Sequence, residues 1–217
     1  MLFFIFLLKI IVCNSYNICI VGGSSNLGRE LIYNGLNNNL KILALSNNPD
    51  KINKPYRGNG LYYNENNLKD VLKFNDNRLT IDNYNNCNKY IYDNLIFCLN
   101  ARPFQNDYSD IITKKILNNN NKKLKNIVLI SAYGVGDSLN NSNLGIKIMN
   151  DFYLKDVYRS KNEQEKIILN YCSKNINVNP IIKREKALAY GKNLYGAKPR
   201  KQLAYEILSD LNLNRKY

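Results

Sequence analysis

The feature that most constrains the fold is an apolar run that ends in a glycine turn. Residues 16–21 have the length and composition of a buried strand, and Gly22 and Gly28 follow six positions apart. An amphipathic stretch then begins, so the order is strand, turn and helix. Glycines let such a turn approach a phosphate, and the helix N-terminus presents N–H groups and a positive dipole end to it. The segment predicts the phosphate-binding turn of a dinucleotide-binding fold; a plain strand–turn–helix connection is the alternative.

The turn has a serine where a third glycine would complete the pattern G-x-x-G-x-x-G. That residue is Ser25, midway between Gly22 and Gly28. Its hydroxyl can bond to a pyrophosphate, crowd the approach of one, or cap the following helix. We expect the pyrophosphate to be held by the backbone N–H groups of Ser24, Ser25, Asn26 and Leu27.

Apolar runs of strand length alternate with helical patterns along the rest of the chain. Strands are predicted at residues 16–21, 40–45, 78–82, 94–99, 127–130 and 178–182. Helices are predicted at residues 27–36, 107–117, 152–172 and 201–211, with a short one at 68–72. This alternation implies a parallel sheet with helices on both faces. The predicted fold class is α/β: a Rossmann-type doubly wound parallel sheet in a single domain, residues 16–217.

The apolar spacing also predicts which helix residues face the sheet. The helix at 107–117 is expected to bury Ile111, Ile112 and Ile116. The last helix is expected to bury Leu203, Ile207 and Leu208. The segment 185–199, after the sixth strand, is short for a substrate lid and predicts an open or weakly selective site.

Composition excludes several kinds of chemistry. The chain has no histidine, so serine–histidine and cysteine–histidine catalysis are excluded. Its five cysteines show no C-x-x-C spacing, so we expect neither a disulfide framework nor a zinc or other metal site. Cys19 and Cys98 lie in apolar runs and are expected to act as small core hydrophobes.

The net charge of +14 has two explanations. A polyanion partner is one: nucleic acid, a membrane surface or a phosphorylated ligand. Codon usage rich in A and T is the other, since Asn, Lys, Ile and Tyr are all abundant. The densest basic patch lacks interleaved aromatic residues for base stacking, which disfavours a nucleic-acid partner. That patch comprises Lys114, Lys115, Lys122, Lys123 and Lys125.

The first residues form a hydrophobic extension. Residues 1–12 are almost wholly apolar, interrupted only by Lys9. They are shorter than the roughly 20 residues of a membrane-spanning helix, but they match the apolar region of a signal peptide without its basic start. Residues 1–15 are predicted to target the chain to an organelle or endomembrane, or to associate with a membrane through residues 1–13. The alternatives are a hydrophobic arm packed on the domain or on a partner, and a cytoplasmic protein.

Four segments, in order, resemble the atypical short-chain dehydrogenase/reductase superfamily, in particular its compact NAD(P)H-binding, NmrA-like and flavin-reductase-like members. They are the turn at 21–28, the triplet 99–101, the segment 127–138 and the segment 161–165, which matches Lys-x-x-x-Glu. The third is the most specific, because it reads like the family's fifth strand followed by Ser-Ser-x-Gly-Val-Gly-Asp-Ser. Arg184 replaces a family proline. The resemblance implies the Rossmann fold and a nicotinamide dinucleotide cofactor.

The resemblance also implies site residues. Asn100 and Ala101 would lie beside the cofactor, and Ser131 would face the nicotinamide. Tyr133 would stack on a ring or give a proton, or else line the wall. Lys161 would contact the ribose or the substrate, or else be solvated beside Glu165.

The catalytic Tyr-x-x-x-Lys pair of the classical enzymes is absent. None of the 17 tyrosines has a lysine four residues later. Tyr158 and Lys161 are three apart, which places them on one helix face. The candidate catalytic residues are therefore Ser131, Tyr133 and Lys161.

The end of the second strand bears on which dinucleotide binds. Asn47 stands where family members often carry arginine, and no carboxylate is present there to repel a 2′-phosphate. Lys51, Lys54 and Arg57 follow, so NADP(H) is favoured over NAD(H). Asp82, after the third strand, is expected to reach the adenine edge. The alternatives are that Asp82 is a turn residue and that Asn64 takes that position.

Three functions are predicted, and the first two are favoured over the third. The first is NADPH-dependent reduction of a small carbonyl or of a flavin- or quinone-like acceptor. The second is a non-catalytic NAD(P)-binding redox sensor or assembly subunit, which Ser25 and the uncharged end of the second strand favour. The third is a basic nucleic-acid-binding protein. The small-molecule substrate and the oligomeric state stay open.

Overall fold

A parallel sheet of six strands forms the centre of the computed structural model, which describes residues 15–52, 76–99, 108–119, 121–139, 154–185, 188–189 and 198–213. The strands are β1 (Ser15–Val21), β2 (Ile42–Ser46), β3 (Leu79–Asn83), β4 (Ile91–Phe97), β5 (Asn126–Ala132) and β6 (Asn179–Glu185). The helices are α1 (Asn26–Asn37), α2 (Ser109–Leu117), α3 (Lys155–Lys174) and α4 (Arg200–Asp210). A parallel ribbon pairs β7 (Leu188–Ala189) with β8 (Lys198–Pro199).

The strand order places a crevice at one edge of the sheet. The order is β3-β2-β1-β4-β5-β6, so the direction of winding reverses between β1 and β4. Val21 at the end of β1 is in register with Leu45 of β2 and Phe97 of β4. The strands therefore end together, at what we call the carboxyl edge. Ligands of doubly wound folds bind at this edge, at the reversal point.

Each face of the sheet is covered by two helices. Along β1, Ile18 and Ile20 pack under α1 and α4, whereas Cys19 and Val21 pack under α2 and α3. Successive side chains of a strand point to opposite faces, so a strand covered on both sides must be apolar throughout. This explains the run of four apolar residues, Ile18 to Val21, with which β1 ends.

The last strand of the six-stranded sheet, β6, carries three charged residues in succession, and each has its own partner. Lys183 pairs with Asp210 of α4 at 2.6 Å, Arg184 with Glu165 of α3 at 2.7 Å, and Glu185 with Lys198 of β8 at 2.9 Å. These pairs attach β6 to helices on both faces and to the β7–β8 ribbon.

The predicted fold class is confirmed. Strand positions agree within three residues; β4 begins earlier than predicted because residues from 91 onward already pair with β1. The β7–β8 ribbon, in the segment taken as a lid, was not predicted. The described cysteines are free and buried, with Cys19 and Cys98 in the core as expected: Cys19, Cys87, Cys98 and Cys172.

The prediction for the inner face of α2 was partly wrong. Ile116 is buried and Ile112 packs against the core, but Ile111 is 56% exposed. Residues four apart share a helix face, whereas residues five apart, such as Ile111 and Ile116, do not. In α4, the three apolar residues predicted to face inward are all buried.

Some predictions lie outside the described residues: those for residues 1–14 and for the short helix at 68–72. Within the described ranges, no helix combines the length and apolar character needed to cross a bilayer.

The two isoleucines of α2 offer a matched test of the core. Ile116→Ala should lower the free energy of unfolding by about 2–5 kcal/mol, because it opens a cavity between α2 and the sheet. Ile111→Ala should change it by less than about 0.5 kcal/mol, because that side chain faces solvent. Urea unfolding followed by circular dichroism measures both, and similar losses in the two variants would contradict this packing.

Candidate functional site

Close contacts between backbones shape the turn after β1. Gly22 has a φ of 92°, and a Cβ on it would lie 2.7 Å from the carbonyl oxygen of Cys98, just after β4. A Cβ on Gly28 would lie 2.4 Å from the carbonyl oxygen of Gly22. Neither position has room for a side chain. The two glycines therefore bring the start of α1 over the reversal point between β1 and β4.

Ser25 is the N-cap of α1. Its Oγ accepts a hydrogen bond from the Gly28 N–H at 3.0 Å, and its backbone is extended. The capping alternative is thus present in the structure. The neighbouring Ser24 hydroxyl accepts a hydrogen bond from Ser46 at the end of β2, at 2.9 Å. Pyrophosphate binding by residues 24–27 stays a prediction, with the positive end of the α1 dipole directed at the crevice.

Lys161 lies buried at the carboxyl edge, not in solvent. It is 6% exposed, and its Nζ donates to the carbonyl oxygens of Leu99 at 3.1 Å and Ile130 at 3.2 Å. A third bond, at 3.2 Å, goes to Oε1 of Gln164. The interpretation of a solvated lysine beside Glu165 was therefore wrong. Since α3 starts at the carboxyl edge, side chains in its first half reach the ends of β4 and β5.

Ser131 is a buried hydroxyl at the end of β5. The residue is 6% exposed, and its Oγ has no hydrogen-bond partner among the residues that the structure describes. Ile130, whose carbonyl oxygen binds Lys161, directly precedes it. An unpaired buried hydroxyl costs about 1–3 kcal/mol, so such groups are uncommon and call for an explanation. A ligand at the carboxyl edge supplies one.

The two tyrosines near this edge have different surroundings. Tyr133, half-buried after β5, uses its backbone N–H to bond the carbonyl oxygen of Glu185 at 3.2 Å. Tyr158 on α3 donates its hydroxyl proton to the carbonyl oxygen of Tyr133 at 3.1 Å. Burial raises the pKa of Tyr158. Tyr158 thus ties α3 to the turn after β5, and its proton is already used in the protein.

An ion pair between the buried Glu165 and the partly buried Arg184 supports that turn. Arg184 Nε and Nη2 donate to the two carboxylate oxygens of Glu165 at 3.1 and 2.7 Å, and Glu165 is 3% exposed. Gly136, with a φ of 54°, lies against this pair: a Cβ there would be 2.6 Å from Glu165 Oε2. Arg184, noted in the sequence only as a departure from the family pattern, is thus the partner of Glu165, the glutamate of the Lys-x-x-x-Glu match.

On the side of the site where adenosine is expected to bind, Asp82 and Asn47 form hydrogen bonds within the protein. Asp82 accepts hydrogen bonds from Asn86 at 2.7 Å and from the Tyr90 hydroxyl at 2.6 Å. Burial alone would raise the pKa of Asp82, but these hydrogen bonds outweigh it and lower the pKa. Asp82 lies in β3, and its carboxylate binds residues that follow the strand; its contact with adenine stays a prediction. Asn47 is exposed, and its carbonyl accepts from Asn83 at 3.3 Å.

The sequence analysis missed Arg29 on this side of the site. Arg29 follows Gly28 in the first turn of α1, is 8% exposed, and donates from its guanidinium to the carbonyl oxygen of Lys51. It places a buried cation beside the segment that follows β2. The sequence could have indicated this residue, because Arg29 directly follows Gly28 of the predicted turn. Other predicted site residues lie outside the described ranges: Lys54, Arg57, Asn64, Asn100 and Ala101.

The basic patch lies away from this site, near the amino ends of the strands. Lys122 and Lys123, in the loop before β5, line a cavity of about 430 Å³ together with Tyr90 and Tyr92. The fold thus brings aromatic residues beside these lysines, but Tyr92 is only 1% exposed and offers no stacking face.

Solved structures share this architecture. The anaerobillin reductase ChuY from Escherichia coli O157:H7 aligns with a TM-score of 0.59 and 11% identity, over 89% of this chain and 90% of that one. The oxidoreductase ylbE from Lactococcus lactis aligns with a TM-score of 0.54 and 15% identity, over 90% and 84%. This chain has the Rossmann-type fold of such reductases. UDP-N-acetylglucosamine 4-epimerase from Bacillus cereus aligns with a TM-score of 0.53 and 18% identity, over 90% and 72%.

These likenesses confirm the expected resemblance at the level of the Rossmann-type fold. No protein-family model and no curated protein sequence matches the chain. The functional assignment therefore depends on the residues at the carboxyl edge.

The role of Ser25 can be tested with two substitutions. Ser25→Ala should lower the free energy of unfolding by about 1 kcal/mol because the Gly28 N–H loses its acceptor, whereas Ser25→Gly should lower it by only a few tenths, about 0.3 kcal/mol. Thermal unfolding measures both. The exposed Ser173→Ala is the control, and equal effects of the two Ser25 variants would contradict a capping role.

The ion pair behind Gly136 gives a further prediction. Arg184→Met should lower the free energy of unfolding by about 3–5 kcal/mol, because it leaves the Glu165 carboxylate buried without this cation. The double variant with Glu165→Gln should recover much of that loss. Arg159→Met, which breaks an exposed pair with Asp156 on α3, should cost less than about 1 kcal/mol. Urea unfolding would refute the argument if the two arginine variants lost the same amount.

Proposed function

We propose that this protein binds NADP(H) across the carboxyl edge of its sheet and reduces a flavin- or quinone-like acceptor or a small carbonyl. The observation that carries this proposal is the buried hydroxyl of Ser131 at the end of β5, which has no hydrogen-bond partner within the described part of the chain. It lies on the far side of the reversal point from the Gly22 turn. A dinucleotide extended along the edge would have its pyrophosphate at the Gly22 turn and its nicotinamide at Ser131.

The residues present fit such a ligand. The turn from Gly22 to Gly28 has the backbone closeness that a pyrophosphate needs, and α1 directs its N-terminus there. The bound cofactor would supply the hydride. Ser131 would hydrogen-bond the nicotinamide amide or the acceptor, and Lys161 would hold positive charge beneath them. Two of the structural neighbours, the reductase ChuY and the oxidoreductase ylbE, support this choice of chemistry.

The choice of acceptor depends on which tyrosines beside the site can still donate a proton. Reduction of a carbonyl needs a proton donor, and Tyr158 already gives its proton to the Tyr133 carbonyl. Among the residues that the structure describes, Tyr133 is the remaining tyrosine beside the site. A flavin- or quinone-like acceptor needs no dedicated tyrosine acid. We therefore place such acceptors ahead of aldehydes and ketones.

The phosphate form of the cofactor is favoured by charge at the end of β2. Asn47 is neutral, so it would not repel a 2′-phosphate. Arg29 adds a buried cation beside Lys51 in the same region.

A non-catalytic NAD(P)-binding sensor is the second candidate. The observation that favours it is the bonding of Lys161, whose ammonium group already donates to three protein acceptors. In that case Lys161 holds the site together and takes no part in turnover.

Titration of the full chain with NADPH and NADH, followed by nicotinamide fluorescence, tests both candidates. NADPH should bind at least about tenfold more tightly than NADH, corresponding to about 1.4 kcal/mol for the 2′-phosphate. Ser131→Ala should weaken NADPH binding, and Ser173→Ala should not. Absence of binding of either nucleotide at millimolar concentration would refute both candidates.

Turnover separates the two candidates. NADPH oxidation should follow addition of a quinone or a flavin, monitored by nicotinamide absorbance. Binding without oxidation of NADPH by quinones, flavins or aldehydes would instead favour the sensor.

A further inference from the structure

The contact between α2 and α3 is polar where a helix pair usually buries apolar side chains. Each of the residues concerned is at most 6% exposed. Their side chains and the backbone carbonyl oxygen of Ser109 form one hydrogen-bonded network that ends at the ammonium group of Lys161. The members are Ser109 and Thr113 of α2 and Ser160, Lys161 and Gln164 of α3. Buried polar groups are stabilised only when partnered, so such a network fixes the orientation of each member.

Gln164 is the central residue of the network. It is fully buried, its Oε1 accepts from Lys161 Nζ at 3.2 Å, and its Nε2 donates to Thr113 Oγ1 at 2.8 Å. Thr113 in turn donates its hydroxyl proton to the carbonyl oxygen of Ser109 at 2.7 Å. The hydroxyl of Thr113 can then only accept from Gln164, so the amide group has one orientation, with its oxygen toward the lysine.

The acceptors of Lys161 come from three different elements. Leu99 follows β4, Ile130 lies in β5, and Gln164 lies one turn along α3. The two carbonyl oxygens are fixed by the sheet, whereas the third acceptor depends on Gln164 and, through it, on Thr113 of α2. Gln164 is neutral, so it holds the ammonium group without adding an opposite charge.

We propose that Gln164 and Thr113 are positioning residues that hold the Lys161 ammonium group at the ends of β4 and β5, under the nicotinamide half of the bound cofactor. This inference rests on the proposed function. Neither residue touches the cofactor in this arrangement. Both act through Lys161, and α2 thereby helps to set the charge at the carboxyl edge.

The test compares a whole cofactor with its adenosine half, using the full chain. NADPH extends to Lys161, whereas adenosine 2′,5′-bisphosphate lies only on the side of β1 and β2. Gln164→Leu should weaken NADPH binding by about tenfold or more, the effect of losing a hydrogen bond to a charged group, and should leave bisphosphate binding within about twofold. The matched control is Gln202→Leu on the exposed face of α4, which should change neither.

Thr113→Val provides a second variant that keeps the side-chain volume and the fold. It should weaken NADPH binding in the same direction but less, because Gln164 loses the group that orients it. In a Lys161→Met background the same substitution should have no further effect, because its route to the cofactor is gone.

Each outcome decides the proposal. Equal weakening of NADPH and the bisphosphate would show a merely structural role and overturn it, as would unchanged binding of both. An effect of Thr113→Val that persists in the Lys161→Met background would also overturn it. If the wild-type chain binds neither ligand, the proposed function fails and this inference fails with it. If the wild type binds both and the variants match it, only the positioning role fails.

Discussion

The structure depends first on the contact between two glycines. Gly28 fits against the Gly22 carbonyl oxygen, and Gly22 against the Cys98 carbonyl oxygen, at distances that no side chain allows. Through these contacts, β1, β4 and the start of α1 meet at one point. The dipole of α1 and the crevice at the strand reversal then coincide, which is the arrangement that suits an anion. The proposed phosphate-binding turn depends on these backbone contacts.

One face of α3 organises the other half of the carboxyl edge. Lys161 and Glu165 are four residues apart and therefore share a face of that helix. The lysine binds the ends of β4 and β5, and the glutamate binds Arg184 of β6. A single helix thus fixes the ends of three strands through charged groups. Ser131 lies beside these contacts, and no residue in the described ranges bonds its hydroxyl, which is therefore available for a ligand.

The sequence predicted the fold well because the central strands carry apolar residues on both faces and helical patterns separate most of the strands. It predicted the glycine turn because only glycine suits such close approach. It named Lys161 as a candidate site residue but did not predict its burial, since a charged residue is expected in water and its carbonyl acceptors are distant in sequence. Arg184 could have been identified by asking what neutralises Glu165 on a buried helix face. The β7–β8 ribbon is too short to show any periodicity.

The ion pairs of β6 have a consequence for how copies of this chain behave together. In the described sheet β6 is an outermost strand, and the edge of a sheet can template the addition of a strand from another molecule. The charges of Lys183, Arg184 and Glu185 are matched within the chain by partners placed on either side of the strand. A foreign apolar strand docking there would have to desolvate these charges. The charges on this edge strand therefore disfavour the addition of a foreign strand.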